Sequence, residues 1–223
     1  MEWGPIILTF KLALITTLLL VLIGIPIAYG LAFGRSRLKP FFETLVSMPL
    51  VLPPTVLGFY LLLAFSPNRG LGAFLDQTLG LRLVFSFEGL VVASLVFSLP
   101  FMVHPIQSGL SQLPSSLAEA SWLLGKSKWK TLMRVQLPNI RASLLTGIVL
   151  AFAHTIGEFG VVLMIGGNIP DQTRVASIAI YDEVEALNYA TANSYSLILL
   201  GITFGILLLV YSINGSYLKS NLK

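Results

Sequence analysis

The sequence predicts an all-α integral membrane protein with about five transmembrane helices, and three observations carry that prediction. Of its 223 residues, 55% are hydrophobic and 11% charged, where soluble domains carry about a quarter of their residues as charged side chains. The apolar residues gather in long blocks instead of alternating with charge. Once those blocks are taken as spans, most of the cations fall on one side.

A hydrocarbon core about 30 Å thick takes roughly 20 helical residues to cross. Five stretches approach or exceed that length: Leu12 to Phe33, Leu45 to Phe65, Gly89 to Ile106, Leu144 to Ile165 and Tyr195 to Ile213. The first resembles a secretory signal in position, but it is too long and lacks a small-residue cleavage site, so it reads as a retained span. Prolines interrupt the first three: Pro26 in span one, Pro49, Pro53 and Pro54 in span two, Pro100 and Pro105 in span three. Each removes a backbone donor and bends or breaks its helix. Lipid cannot satisfy the carbonyls so freed, which points span two toward the interior of an assembly; a simple packing kink is the alternative.

Arg35, Arg37 and Lys39 lie between spans one and two, and Lys126, Lys128, Lys130, Arg134 and Arg141 between spans three and four, while Lys219 and Lys223 close the chain. These ten of the fourteen cations share one side; the other holds Arg69, Arg82 and Arg174 among Asp76, Asp171, Asp182, Glu183 and Glu185. The positive-inside rule makes the ten-cation side cytoplasmic, with the N-terminus outside and the C-terminus inside. Lys11, near the outer end of span one, has a stem long enough to snorkel to the interface. The net charge of +4 is then an orientation signal rather than a nucleic-acid surface. Cysteine is absent, so there is no disulfide framework, thiolate metal site or cysteine nucleophile. No metal or cofactor is expected.

Between spans three and four, Gln107 to Ile140 make a connection far longer than a reversal of direction needs. Within it, a short amphipathic helix starts after Pro114, with Ser115 or Ser116 as cap and Glu119 in the first turn. Leu117, Ala120, Leu124 and Trp122 form its apolar stripe. Gly125 supplies a backbone conformation closed to other residues and ends that helix, and Lys126 to Val135 form a second, basic one. Small Ala120 and Ser121 leave room for another surface, and Leu117 and Trp122 serve as anchors in a groove. An interfacial helix lying on lipid is the competing reading. Gly125, Lys126 and Ser127 imitate the end of a P-loop, but the earlier glycine position holds Ala120 and the preceding segment reads as helix.

Glu119, Ala120 and Ser121, then Gly125, then Val135, Leu137 and Pro138 are similar to the EAA loop of ABC importer permeases. That pattern is Glu-Ala-Ala, three residues, Gly, nine residues, then an aliphatic residue, any residue, Leu-Pro. The spacing is kept in full, and Ser121 stands where the pattern has its second Ala. The resemblance implies a type I permease architecture forming one transmembrane domain over residues 1–223, with a cytoplasmic coupling loop at about 107–140. It implies that Leu117, Glu119, Ala120, Ser121, Trp122, Gly125, Leu137 and Pro138 seat in a dimeric ATPase subunit supplied by another chain. This chain would then be a transport subunit of the bacterial inner membrane, not an enzyme.

Met48 to Leu63, Phe152 to Gly160 and Gly167 to Arg174 resemble molybdate permeases, with sulfate and tungstate permeases similar over much of the same length. His154 stands where the family pattern has an arginine. His154 and Glu158, four apart, would share a helix face, either as a structural pair or as part of the pore with Pro53 and Pro54. A dianion needs a path that does not hold it. The expectation is therefore a pore of small, hydroxyl and apolar groups, two copies of the chain about a twofold axis, and an external oxyanion-binding protein docking around Asn68 to Arg82 and Gly167 to Asn188. Two other classes compete: an intramembrane protease using serine with His104 or His154, for which no motif is present, and a passive membrane anchor.

Overall fold

The structure, a computed structural model, describes residues 2–68 and 70–220. Arg69, Lys223 and the side chain of Lys219, counted above in the charge distribution, lie outside what is described. Twelve helices follow in order: α1 (Gly4–Phe33), α2 (Lys39–Val51), α3 (Pro54–Ala64), α4 (Gly70–Leu79), α5 (Phe87–Ser111), α6 (Ser115–Leu123), α7 (Lys128–Thr131), α8 (Leu137–Asn139), α9 (Arg141–Gly157), α10 (Gly160–Gly166), α11 (Ala176–Glu185) and α12 (Tyr189–Ser220). A π-helical turn, Leu132–Gln136, joins α7 to α8. No strand occurs among the described residues.

Three helices, α1, α5 and α12, are long and apolar enough to cross a membrane, and the number rises to five if each of two bent pairs counts as one span. Expected span two is one of these pairs, α2 and α3, bent by 114°. Leu52 and Pro53 are both extended, at φ −70°, ψ 135° and φ −54°, ψ 134°. Each precedes a proline, and the proline ring drives its predecessor out of the helical region. The second pair is Lys128–Asn139 with α9, bent by 83°, and expected span four differs from the structure at its other end. Its helix α9 stops at Gly157, Glu158 is extended (φ −70°, ψ 133°), and α10 begins at Gly160. No proline marks this break; the carbonyl of Glu158 is instead taken by the Ser177 hydroxyl at 2.6 Å.

Helix α1 starts with Pro5 in its first turn, where a missing N–H costs nothing, and runs unbroken through Pro26. Helix α5 is capped by Ser86, whose hydroxyl accepts from Gly89 N at 3.1 Å, with Glu88 in its first turn. The two pack along each other, and α5 packs along α9 on its other side. A close approach there is at Gly147, where a Cβ would sit 3.0 Å from the Met102 carbonyl oxygen.

The interior divides into two large apolar cores and a smaller one, in which Ile6 of α1, Ala176 and Ala179 of α11 and Tyr195 of α12 meet. One large core joins Leu20 and Ile25 of α1, Val46 of α2, Met102 and Ile106 of α5, Leu132, Leu137 and Ala151. The other joins Leu12 of α1, Leu57 of α3, Leu90 and Phe97 of α5, Val161 and Ile165 of α10, and Ile178 of α11. Helices α1 and α5 are long enough to serve both. Helix α12 stands apart, docked on α11 and lightly on α9, with only 6% of its apolar window buried.

Gly147→Val should push α5 and α9 apart, since overpacking of a close contact costs about 1–3 kcal/mol. Thermal unfolding of the purified chain in detergent is expected at a clearly lower temperature. Gly201→Ala, at a position with nothing near its side-chain direction, should leave it unchanged.

Candidate functional site

The connection that drew attention in the sequence forms a rigid knob. Helix α5 absorbs Gln107 to Ser111, so the knob proper spans residues 112–140. Pro114 (φ −58°, ψ 134°), not Ser115 or Ser116, occupies the cap position of α6. Both serines lie inside the helix, and Glu119 falls beyond its first turn. Proline's fixed φ turns the chain into the helix without a side-chain cap.

At the other end of α6, Gly125 adopts φ +72°. Its N–H donates to the Trp122 carbonyl at 2.8 Å, and the Lys126 N–H donates to Ser121 O at 3.1 Å. This pair of bonds is a Schellman closure, and it needs a residue without a Cβ penalty at that φ. Ser127 then caps α7 by accepting from Lys130 N at 3.3 Å.

The expected single basic helix from Lys126 to Val135 is divided. Helix α7 covers four residues and gives way to the π turn, in which Leu137 N reaches back to Leu132 O. Pro138, next in line, has no N–H and its ring would strike the carbonyl four residues earlier, so the wider turn relieves both problems.

Ser121 also departs from expectation. It is buried and hydrogen-bonded to Thr131 Oγ1 at 2.9 Å, while the Thr131 hydroxyl donates to Ser127 O at 3.1 Å. A hydroxyl here pins α6 to α7 from within and faces its own chain. The outward surface is made by Glu119, Ala120, Trp122 and Gly125, followed by Leu123, Leu124, Trp129 and Met133. Leu117 is half-buried and Leu137 buried. Leu123 and Leu124 are 89% and 77% exposed, a concentration of apolar surface that marks an interaction site.

The second site lies where the helices break. Pro54, Thr55, Phe97, His154, Glu158 and Gly160 line a cavity of about 530 Å³. Pro53 adjoins it through the chain. A Cβ on Gly160 would lie 2.8 Å from Pro54 Cβ, so the two breaks touch. His154 and Glu158 do not bond to each other, because the helix ends between them. Each takes a serine of α5 instead: Ser98 Oγ lies 3.0 Å from His154 Nδ1, and Ser94 Oγ donates to Glu158 Oε2 at 3.1 Å. The imidazole stacks on Phe101 at 4.0 Å and leans on Phe97 at 4.7 Å. Thr155, also within reach of Ser98 at 3.0 Å, completes the cluster. Glu158 is 4% exposed, and its Oε1 has no partner within the chain.

Sequence reading missed Ser94, Ser98 and Thr55. A signal was present: Ser94 and Ser98 repeat the four-residue spacing of His154 and Glu158, so two polar pairs of equal pitch lie on facing helices.

At the end of the molecule bearing α4 and α11, Arg174 Nε donates to Asn168 Oδ1 at 2.6 Å, and Asn168 in turn donates to Asp182. Arg82 pairs with Asp76 at 3.2 Å. Lys11 sits 4.6 Å from the centre of the Phe87 ring, a cation–π contact that the sequence did not suggest. His104, weighed earlier as a catalyst, bonds Ser47 at 3.1 Å. Among the described residues, no group of acidic or histidine side chains is arranged to hold a metal.

Residues 8–220 match the family model described as a binding-protein-dependent transport system inner membrane component. The molybdenum transport system permease protein ModB of Azotobacter vinelandii is 49% identical over 193 residues, covering 86% of this chain and 85% of that protein. A probable sulfate transport system permease protein, cysT of Anthoceros angustus, is 36% identical over 211 residues, covering 92% of this chain and 73% of that protein. Among solved structures, the MetNI methionine ABC transporter in inward-facing conformations superposes with a TM-score of 0.70 at 18% identity, over 95% of this chain and 94% of that one.

Glu158→Gln should keep the bond from Ser94 and leave thermal stability in detergent close to that of the parent. Glu158→Ala strands the Ser94 hydroxyl and enlarges the cavity, and a loss of about 1–3 kcal/mol is expected from the unmade bond. Equal unfolding temperatures for the two variants would show that this bond carries no weight.

Proposed function

Because the chain belongs to the family of binding-protein-dependent transport system inner membrane components, we propose that it forms the membrane path of an ABC importer for molybdate. The likeness to ModB carries the choice of ion; the weaker likeness to cysT supports sulfate less. The energy source is a separate ATP-binding subunit, and delivery is by a separate extracytoplasmic binding protein.

The observation that supports this reading is the continuity between knob and cavity. Helix α9 starts immediately after the knob, at Arg141, and ends at the cavity, at Gly157. Its 17 residues make a rod about 25 Å long. An ATPase groove gripping Trp122, Leu123 and Leu124 would move α6 as one body with α7, because the Schellman closure and the Ser121–Thr131 bond lock them together. That motion enters α9 through α8 and arrives at His154 and Glu158. The seam between the two breaks is where it can change the path: Pro53 and Pro54 on one side and Gly157 to Gly160 on the other have few backbone bonds to resist it.

The lining fits passage rather than capture. The cavity offers Pro54, Thr55, His154 and the buried carboxyl of Glu158 and no lysine or arginine, so a dianion meets no fixed opposite charge to hold it. Five spans enclose a poor pore alone, and the path is completed by a second copy about a twofold axis. The knob faces the cytoplasm, the N-terminus lies outside, and the Asn168–Arg174–Asp182 cluster belongs to the face that meets the binding protein.

Two experiments test this. Cells carrying the chain with its ATPase should take up molybdate, with uptake lost when the ATPase is inactivated; uptake indifferent to ATP depletion would remove the importer reading. Competition by tungstate and by sulfate ranks the ions, and sulfate outcompeting molybdate would move the assignment to the cysT side. For the knob, Gly125→Val places a β-branched residue at φ +72° and should abolish co-purification with the ATPase while membrane insertion is retained.

A further inference from the structure

Helices α1 and α2 touch little, and between them lies a groove of about 480 Å³, in the range of small-ligand sites. Its walls are Ile27, Leu31, Phe42, Leu45 and Leu99, and its floor at Gly30 is open because no side chain stands there. One end only is polar, formed by Ser36 and Lys39. The same end carries Arg35 and Arg37, both exposed and with no side-chain partner among the described residues. One carboxylate stands nearby: Glu43 lies 3.9 Å from Lys39, and its Oε1 also accepts from Gln107 at 2.7 Å. It answers one of the three cations and leaves the two arginines uncompensated.

From this juxtaposition we propose that the α1–α2 groove is a binding site for an anionic phospholipid, its acyl chain in the groove and its phosphate on Arg35, Arg37 and Lys39. The pieces match that occupant in shape and in charge. An apolar trough suits a hydrocarbon chain, and a cationic cluster at one end suits a phosphodiester that cannot leave the interface. Arginine presents a fork of donors suited to phosphate oxygens. The exposed Phe41 and Phe42 beside this end add apolar cover. The site also acts on the proposed path, because α2 is the half-span that leads to Pro53. A lipid wedged behind it sets how far α2 can lean toward α1.

Phe42→Trp in the full-length chain places a reporter in the groove. Reconstituted into vesicles of brominated phosphatidylglycerol or brominated phosphatidylcholine, the additional tryptophan emission should be quenched by both lipids. In mixed vesicles the groove should prefer phosphatidylglycerol by about fivefold or more, the effect expected of one well-placed cation at a membrane surface. The variant that also carries Arg35→Gln, Arg37→Gln and Lys39→Gln should show a ratio near one. A second background, Phe42→Trp with Gly30→Leu, fills the floor and should reduce quenching by either lipid without changing thermal stability. Equal quenching by the two lipids in the mixed vesicles, with the cations intact, would overturn the charge selection. Absence of quenching by both would show that protein, not lipid, covers the groove. Either result leaves ATP-driven molybdate uptake untouched and so separates this proposal from the functional one.

Discussion

Lipid offers no hydrogen bonds, and every departure from helix in this chain has to be covered by the chain itself or open onto water. That constraint explains why the two interrupted spans meet. Pro53 and Pro54 interrupt one, and the extended Glu158 interrupts the other. The two are pressed together so closely that Gly160 has no room for a Cβ beside Pro54. Hydroxyls do the remaining accounting: Ser177 covers the Glu158 carbonyl, and Ser94 and Ser98 serve the side chains that the end of α9 leaves exposed to the interior.

The same constraint separates rigid from yielding parts. The knob from residue 112 to 140 is over-determined by local bonds: a Schellman closure, a serine cap, a serine–threonine bond and a π turn ahead of proline. The seam has few such bonds and contains a cavity. The proposed function, in which force received at the knob changes the shape of the seam, needs this contrast, since a soft knob would dissipate the displacement and a stiff seam would refuse it. Helix α9, continuous between the two, needs no hinge of its own.

Much of this was legible in the sequence. Composition and the five apolar blocks gave the class, and the Glu119-to-Pro138 spacing gave the loop, because a glycine needed for a left-handed turn and a proline that breaks a helix are visible without coordinates. Pro53 and Pro54 announced one break. The other was silent, since Glu158 leaves the helix for tertiary reasons: a serine on α5 and a serine on α11 reward the extended conformation, and neither is near it in sequence. The expected pairing of His154 with Glu158 failed for that reason, as it assumed a helix continuing past Gly157. Ser121 was misread in a different way. A small residue at a packing position looks the same whether it makes room for a partner or turns inward to Thr131.

The two large cores of the interior have a bearing on how the chain is made. Both cores draw on α1 and on α5, and both also require elements from the second half of the sequence, α9 for one and α10 with α11 for the other. Neither can close while synthesis is half complete. Helix α1 must therefore wait in lipid carrying Thr9, Thr16 and Thr17, all of them interior residues in the finished fold. Thr9 bonds to the carbonyl of Pro5 in its own helix, and a hydroxyl satisfied in this way can sit among acyl chains at little cost. Thr9 thus suits two solvents in succession, hydrocarbon before its neighbours arrive and protein afterwards, when its oxygen also accepts from Ala176 N.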